Sequence, residues 1–233
     1  MRDRNIIVAG GSSGIGRSVV KVLAGENRVI EYSRSGNDLK QFPNAEHRFI
    51  DIMSENWELG KLPEKIDGFV YCPGSINLKP FRRITKDELL DDFRLNAAGA
   101  FRFIQMLYPG LRKSDHASIV LFSTVAVQTG MAFHSSIAAA KGAVEGLVRS
   151  LAAEFAPRIR VNAIAPSLTD TPLASPLLSS DERRARSSEM HPLKRIGTVE
   201  DQVNAVKFLL SDDSAWMTGQ ILHVDGGLSS VRG

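Results

Sequence analysis

Short runs of apolar and β-branched residues alternate along the chain with longer segments in which apolar residues recur every three or four positions. The short runs are typical of strands buried on both faces, and the longer segments are typical of amphipathic helices. Strands are predicted at residues 5–9, 28–32, 47–50, 68–72, 118–123, 159–164 and 220–224. Helices are predicted at residues 15–24, 85–113, 135–156 and 199–211.

This alternation predicts an α/β fold: a doubly wound, Rossmann-like parallel sheet of seven strands with helices on both faces. With 233 residues, 43% of them hydrophobic, the chain is long enough to bury a sizeable core, and we expect a single domain over residues 1–233. Residues 165–197 are rich in Pro, Ser and charge and are expected to be irregular. Because segments of this length are usually functional or disordered, we interpret residues 168–197 as a substrate lid.

Composition limits which partners, metals and cellular compartments we expect for this domain. The net charge of +3 comes without any block of five like charges, so nucleic-acid binding has little support. A single cysteine, Cys72, excludes an internal disulfide and cannot make a zinc site alone, which predicts no metal and a reducing, cytoplasmic compartment. The apolar run at residues 6–9 is too short for a signal peptide, and no run is long enough for a bilayer. We therefore expect a soluble protein with no membrane partner.

A glycine-rich segment, residues 10–16 with the sequence GGSSGIG, joins the first predicted strand to the first predicted helix. Glycine lets the backbone turn tightly and approach a phosphate, and a helix N-terminus offers N–H groups and a favourable dipole. This position in the first β-α unit predicts a dinucleotide site. The residues expected to hold the pyrophosphate are Gly10, Ser12, Ser13, Gly14, Ile15 and Gly16.

The glycine spacing resembles the TGxxxGxG turn of the short-chain dehydrogenase/reductase family, and further motifs follow in that family's order. Gly74 retains the glycine of an NNAG stretch, and LNAAG at residues 95–99 resembles the family's asparagine motif. VNAIAP at residues 161–166 resembles its VNxxxPG segment, with Ser167 in place of the glycine, and residues 218–227 resemble its closing strand. The resemblance covers essentially the whole chain and implies a nicotinamide dinucleotide cofactor.

The end of the second strand is where cofactor choice should be decided. An acidic residue there would bind the adenosine ribose and repel a 2′-phosphate. Ser33 and Arg34 stand at this place, and a hydroxyl with a guanidinium suits a phosphate dianion. We predict NADP(H) over NAD(H); the alternative is that Arg34 is only a surface residue. By resemblance, the other cofactor contacts are Asp51, Ile52, Gly74, Lys141, Pro166, Thr169 and Thr171.

The resemblance also implies a catalytic set in which one member is replaced. In the family, a serine orients the substrate oxygen, a tyrosine transfers the proton, and a lysine one helical turn later binds the nicotinamide ribose and lowers the tyrosine pKa. Lys141 is present, Thr124 or Ser123 supplies the hydroxyl, and Asn96 supports a water relay to Lys141. The tyrosine position is Ile137. Because isoleucine has no proton to give, another donor is required.

Two histidines are considered for that donor. His134, one turn before Ile137, has an imidazole that titrates near neutral pH; its alternative role is a histidine bonded at a helix start. His191 in the lid is a second candidate, and its alternative is a surface residue before Pro192. Tyr71 is the tyrosine whose strand end approaches the expected cofactor site.

These observations predict an NADP(H)-dependent oxidoreductase that moves a hydride to or from a small carbonyl or alcohol with an altered proton donor. The alternatives are a catalytically impaired NADP(H)-binding sensor or oligomer partner, and an isomerase or lyase that uses the same pocket. In the family, the helix around the lysine pairs across a dimer interface, and small residues here favour a homodimer or homotetramer. These small residues are Ala138, Ala139, Ala140, Gly142, Ala143 and Gly146.

Overall fold

Strands and helices alternate along the chain in the computed structural model, which describes residues 1–36, 39 and 41–231. Residues 37, 38, 40, 232 and 233, part of the predicted single domain, lie outside the described residues. The strands are β1 Asn5–Ala9, β2 Arg28–Ser33, β3 Ala45–Phe49, β4 Gly68–Tyr71, β5 Ala117–Phe122, β6 Ile159–Pro166 and β7 Ile221–Val224. The α-helices are α1 Gly14–Leu23, α2 Lys86–Phe93, α3 Gly99–Leu111, α4 Val125–Thr129, α5 Ser135–Phe155, α6 Asp181–Met190 and α7 Val199–Leu210.

All seven strands pair in parallel, in the order β3-β2-β1-β4-β5-β6-β7. The order changes direction between β1 and β4, and open α/β sheets bind ligands outside the carboxyl ends of the strands at such a switch point. β4 and β5 are buried at every position, as their continuous apolar runs indicate. The α/β fold class with a seven-stranded parallel sheet is therefore confirmed.

Helices cover both faces of this sheet. On one face α3 and α5 pack over an apolar cluster that includes Phe69, Phe103 and Val148. On the other face α1 and α7 pack over a second cluster that includes Val20 and Val206. The two layers account for the apolar character of the central strands, and they hold the carboxyl ends of the strands in a rigid frame.

Two predicted segments differ from the structure. The predicted helix at residues 85–113 is divided into α2, a π-helical turn Arg94–Ala98 and α3. The expected irregular segment at residues 165–197 contains the 3₁₀ helix Pro172–Leu178 and the α-helix α6. The sequence pattern missed α6 because no residue of that helix is buried, so it has no apolar stripe to detect. No helix in the part of the chain that the structure describes is long and apolar enough to cross a membrane.

Candidate active site

The glycine-rich turn between β1 and α1 has the geometry of an anion site. Gly10 and Gly14 have φ angles of +79° and +53°, which favour glycine. A Cβ atom at Gly16 would lie 2.1 Å from the carbonyl oxygen of Gly10, so only glycine fits there. The first turn of α1 contains no acidic residue, and the Ser13 side chain makes no capping hydrogen bond. The N–H groups and dipole at this helix start therefore fit a pyrophosphate.

A buried carboxylate that the sequence analysis missed lies behind this turn. Oε1 of Glu31 accepts a hydrogen bond from the backbone N–H of Gly11 at 2.8 Å, and Oε2 lies 2.6 Å from Nδ1 of His47 on β3. Glu31 is fully buried, so its carboxylate is used internally and does not bind a ribose. The signal that could have revealed it is a glutamate within the otherwise apolar centre of β2.

The ends of β2 and β3, where the adenosine half of the cofactor is expected, lie side by side in the sheet. Ser33 ends β2 and donates its hydroxyl hydrogen bond to the carbonyl oxygen of Ser35 at 2.7 Å, and Arg34 is exposed next to it. Asp51 follows β3 and accepts from the N–H of Met53 at 3.0 Å. No acidic side chain takes the Ser33 position itself.

A cavity of about 300 Å³ lies at the carboxyl ends of β4, β5 and β6. The predicted catalytic residues Ser123, Thr124, His134 and Lys141 line it together with Ile137. The predicted cofactor residues Ile15, Gly74, Pro166, Thr169 and Thr171 line the same cavity. Residues far apart in the sequence therefore meet at one site, while the remaining predicted cofactor residues lie along the turn and at the ends of β2 and β3.

Lys141 on α5 is the charged group in the wall of this cavity. Its Nζ donates to the carbonyl oxygen of Phe122 at 2.8 Å, and the residue is only 7% exposed. Burial disfavours the ammonium form and lowers the lysine pKa to about 8. Burial also raises the pKa of the nearby Cys72 thiol to about 12, so this thiol stays neutral. Lys141 thus exchanges its proton in a pH range close to neutrality.

Ile137 lies one helical turn before Lys141 and is 5% exposed. Its side chain adds an apolar surface to the cavity wall. The expectation that Tyr71 approaches the cofactor is wrong. Tyr71 is buried in the core, where its hydroxyl donates to the carbonyl oxygen of Leu95 at 2.5 Å, and burial raises its pKa far above the usual range. Alternation along β4 turns this side chain toward α3 rather than toward the cavity.

Asn96 lies in the π-helical turn, next to Gly74. Its Nδ2 donates to the carbonyl oxygen of Asp92 at 2.8 Å, and its buried Oδ1 has no hydrogen-bond partner among the described residues. A Cβ atom built on Gly74 would lie 3.3 Å from this Oδ1 and 3.5 Å from Nζ of Lys141. Asn96 Oδ1 and Lys141 Nζ therefore both lie close to the space above Gly74. A water molecule in that space could link the two side chains.

Three polar residues behind Asn96 were missed by the sequence analysis. The buried Asp92 carboxylate accepts from the hydroxyls of Ser75 at 2.6 Å and Ser136 at 2.5 Å, and Nδ2 of Asn96 donates to Ser75 Oγ at 3.1 Å. This network joins α2 and the π-helical turn to the start of α5 and fixes the orientation of the Asn96 amide. An aspartate on α2 gives no distinct sequence signal, because acidic residues are common on helix surfaces.

The two candidate hydroxyls after β5 differ in their hydrogen bonds. Ser123 Oγ donates to the buried carboxylate of Glu145 at 2.8 Å, so its proton is already used. Thr124 is the N-cap of α4 and accepts from the N–H of Ala126 at 3.3 Å. Because Thr124 acts here as an acceptor, its hydroxyl proton can be directed to a substrate oxygen.

Both candidate histidines line the cavity. His134 is half-buried at the N-cap of α5, with Nδ1 2.7 Å from the carbonyl oxygen of Ala132. The alternative view of His191 as a surface residue is wrong, because it is 3% exposed. Its ring lies between Ser187 and Ser167, with Nδ1 2.7 Å from the Ser187 carbonyl oxygen and Nε2 2.8 Å from Ser167 Oγ.

Comparisons with known proteins agree with this geometry. Residues 48–229 match the protein family described as enoyl-(acyl carrier protein) reductase. The chain is 34% identical to an L-xylulose reductase of Bos taurus over 97% of both chains. It is 31% identical to a tropinone reductase homologue of Arabidopsis thaliana over 98% of this chain and 94% of the relative. The ligand-free aldohexose dehydrogenase of Thermoplasma acidophilum superposes with a TM-score of 0.89 at 28% identity, covering 99% of this chain and 96% of that one.

Proposed function

The chain belongs to the short-chain dehydrogenase/reductase family, and from this membership we propose that it is an NADP(H)-dependent oxidoreductase. The proposed reaction moves a hydride between the cofactor and a small carbonyl or alcohol, with a proton donor other than the family's tyrosine. The observation that carries the proposal is that Lys141, Thr124 and Gly74 line one cavity at the carboxyl ends of the strands. That is where an open α/β sheet binds its ligand.

A nicotinamide dinucleotide, when bound, supplies or accepts the hydride. The residues present fit it: the turn at residues 10–16 presents helix N–H groups to the pyrophosphate, and the ends of β2 and β3 take the adenosine. Arg34, exposed beside Ser33, supports the 2′-phosphate of NADP(H). Asp51 and Ile52 would contact the adenine, while Thr169 and Thr171 would contact the nicotinamide end.

The chain's own groups have separate roles in this proposal. Lys141 Nζ, held by the Phe122 carbonyl, offers its remaining N–H groups to the nicotinamide ribose. Thr124 donates a hydrogen bond to the substrate oxygen and orients it. Oδ1 of Asn96 accepts from a water over Gly74 that leads to Lys141. Ser123 supports the site by binding Glu145. Ile137 excludes water from the cavity wall but transfers no proton.

The lid segment, residues 168–197, is proposed to select the substrate. Leu173 and Leu177 of the 3₁₀ helix line the cavity, as does Met190 at the end of α6. These side chains give the cavity a largely apolar wall. Since removing apolar surface from water favours binding, a carbonyl compound with an apolar body fits this wall.

A homodimer or homotetramer is proposed to form through α5. Gly146 and Ala139 on this helix are exposed in the single chain, and small residues let two helices approach closely. This arrangement would place two α5 helices against each other, behind the cavity wall that carries Lys141.

A second candidate function rests on Ile137. Without the family's tyrosine, the chain could bind NADP(H) without reacting and act as a sensor or an oligomer partner. General acid–base catalysis contributes about 10²- to 10⁴-fold to a rate, so the loss of one donor without replacement would leave little turnover.

One panel distinguishes the two functions. Wild type, Ile137→Tyr and Lys141→Ala are assayed for NADPH oxidation with aliphatic, cyclic and aromatic carbonyl compounds and keto sugars, together with NADPH binding. Turnover by wild type that is lost in Lys141→Ala supports the oxidoreductase. Lys86→Ala, on the exposed surface of α2, is the matched control. NADPH binding without turnover, together with ketone reduction gained by Ile137→Tyr, supports the sensor and overturns the enzyme proposal.

A further inference from the structure

A serine and a histidine form a hydrogen-bonded pair in the cavity wall. Ser167 follows β6, and His191 follows α6, 24 residues later in the chain. Their atoms Oγ and Nε2 are 2.8 Å apart, and both residues line the cavity that contains Lys141 and Thr124. Ser167 stands where the family's VNxxxPG segment has glycine, which has no side chain.

The partner of the second ring nitrogen determines where the proton of this pair lies. Nδ1 of His191 is 2.7 Å from the carbonyl oxygen of Ser187. A carbonyl oxygen only accepts hydrogen bonds, so Nδ1 must carry hydrogen. In the neutral imidazole Nε2 then has a free electron pair, and the Ser167 hydroxyl donates to it. The arrangement is a hydroxyl, a base and a group that orients the base, which is the geometry of an activated hydroxyl.

We propose that Ser167 and His191 perform the proton transfer that Ile137 cannot perform. Ser167 Oγ touches the substrate oxygen and is the catalytic residue, and His191 acts through Ser167 as a positioning residue that takes up and returns the proton. This inference rests on the proposed oxidoreductase function and assigns its missing acid–base pair.

Protons and electrons balance in this proton transfer for both oxidation and reduction. In alcohol oxidation the O–H bond of the alcohol breaks and its proton passes to Ser167 Oγ, while the proton of Ser167 passes to His191 Nε2. An oxidised nicotinamide dinucleotide, when bound, would accept the hydride from the carbinol carbon, so that the alcohol loses two electrons and becomes a carbonyl. After the product leaves, the imidazolium returns its proton through Ser167 Oγ to water that enters the cavity. In reduction the imidazolium returns a proton through Ser167 to the substrate oxygen.

Titratable groups on the surrounding elements line the same cavities as His191, among them His134 at the start of α5 and Cys72 after β4. Lys141 on α5 lines the same cavity, and Asp225 and His223 at the end of β7 line a neighbouring cavity that His191 shares. Asp225 is held by the Ser229 hydroxyl at 2.5 Å. Two ion pairs are also close to His191. Arg195 and Asp201 line the neighbouring cavity with it, and Lys194 pairs with Glu189, two residues before it in the sequence.

The Ser167–His191 pair predicts opposite pH dependences of kcat/KM for alcohol oxidation and carbonyl reduction. Alcohol oxidation needs His191 as the base and carbonyl reduction needs it as the acid, so a higher pH should raise kcat/KM for the alcohol and lower kcat/KM for the ketone. Lys141 adds a separate ionisation near pH 8.

The kinetic test compares wild type, Ser167→Ala, Ser167→Thr and His191→Gln, using the fastest alcohol and ketone of the carbonyl panel. Ser167→Ala is expected to lower kcat/KM by about 10²-fold or more, with unchanged NADPH binding, and Ser167→Thr to restore part of the rate. In Ser167→Ala and His191→Gln the opposite pH dependences of oxidation and reduction disappear, and the ionisation of Lys141 near pH 8 remains. His116→Gln, at an exposed histidine paired with Asp212, is the matched control.

A second readout does not depend on turnover. In protein with ¹⁵N-labelled histidine, NMR of wild type is expected to show His191 protonated at Nδ1 and accepting a hydrogen bond at Nε2. The Nε2 signal should shift in Ser167→Ala. The pH profile of His134→Ala is measured as well. If Ser167→Ala leaves the pH profile of kcat/KM unchanged, or if His134→Ala alters it instead, this inference is overturned while the oxidoreductase proposal stays intact. NADPH binding without any turnover by wild type overturns both.

Discussion

Lys141 combines an ionisable side chain with an almost completely buried position. Its amine donates to the Phe122 carbonyl, and burial lowers its pKa from 10.5 to about 8. The folded state therefore prefers neutral lysine, while the unfolded chain keeps the ammonium up to higher pH. Burial brings the pKa of the amine close to neutral pH, and it also destabilises the folded state at any pH at which the amine is protonated.

This difference predicts a pH-dependent stability. Below about pH 8 the penalty for burying the ammonium is fully present, and it disappears as the pH rises toward 10.5, because only the unfolded chain then binds the proton. Relative to Lys141→Met, the unfolding free energy of wild type should rise over this range by on the order of 3 kcal/mol. Urea unfolding at several pH values measures it. Lys86→Met is the exposed control, and parallel curves for wild type and Lys141→Met would contradict the prediction.

Arg34 is the residue on which the proposed preference for NADP(H) depends. A hydrogen bond to a charged group contributes about 1.5–3 kcal/mol. We therefore expect Arg34→Ala to weaken NADPH binding by about ten- to a hundredfold and to leave NADH binding unchanged. Fluorescence titration with both cofactors measures this, and Arg82→Ala, at another exposed arginine, is the control. Equal affinity of wild type for NADPH and NADH would show that the preference is absent.

At the scale of elements, the turn from β1 into α1 is the most constrained part of the site. In Gly16→Ala the added methyl group would lie 2.1 Å from the Gly10 carbonyl oxygen, so the turn must open. Overpacking of this kind costs about 1–3 kcal/mol. We expect a lower melting temperature and a marked loss of NADPH affinity.

Gly25→Ala provides the matched control, since it lies just beyond the other end of α1. A Cβ atom there would be 3.5 Å from the nearest atom, the Val22 carbonyl oxygen, which is an ordinary contact. A Gly16→Ala protein that binds NADPH as wild type does would show that the turn does not hold the pyrophosphate.

The secondary structure of the lid segment was only partly predicted from the sequence. Its function as a lid stays a prediction, although five of its apolar residues line the cavity, and its helix α6 was not predicted. Ser180 caps this helix by accepting from the N–H of Arg183, and the helix buries no residue. Periodicity detects a helix through its apolar stripe. A polar helix that buries none of its residues has no such stripe.

At the scale of the whole molecule, the exposed face of α5 predicts self-association. No atom lies within 4 Å of a Cβ built on Gly146, so Gly146→Arg fits the single chain without a clash. In a dimer that pairs α5 helices, the same arginine would separate the subunits. We expect wild type to sediment as a dimer or tetramer and Gly146→Arg as a monomer of unchanged far-UV circular dichroism. Gly25→Arg is the control, and a wild-type monomer would contradict the prediction.

The sequence by itself determined the layers of the fold, the glycine turn and the order of the family motifs. These features depend on backbone geometry and on near neighbours: buried strands are continuous apolar runs, amphipathic helices repeat every 3.6 residues, and a tight turn needs glycine at defined positions. Such signals are complete within ten or twenty residues. For this reason strands were placed to within two or three residues. The family resemblance pointed to Lys141, Thr124 and Asn96, which the structure places in or beside one cavity.

Only the tertiary structure decided which side chains meet. Glu31 contacts Gly11, Asp92 binds Ser136, and Ser167 pairs with His191, while Tyr71 turns into the core. Each contact joins segments that are brought together by the packing of helices on the sheet. A side chain's direction and partners depend on that packing, and no local pattern contains it. The acid–base pair proposed here therefore became visible only once β6 and the end of α6 lay side by side.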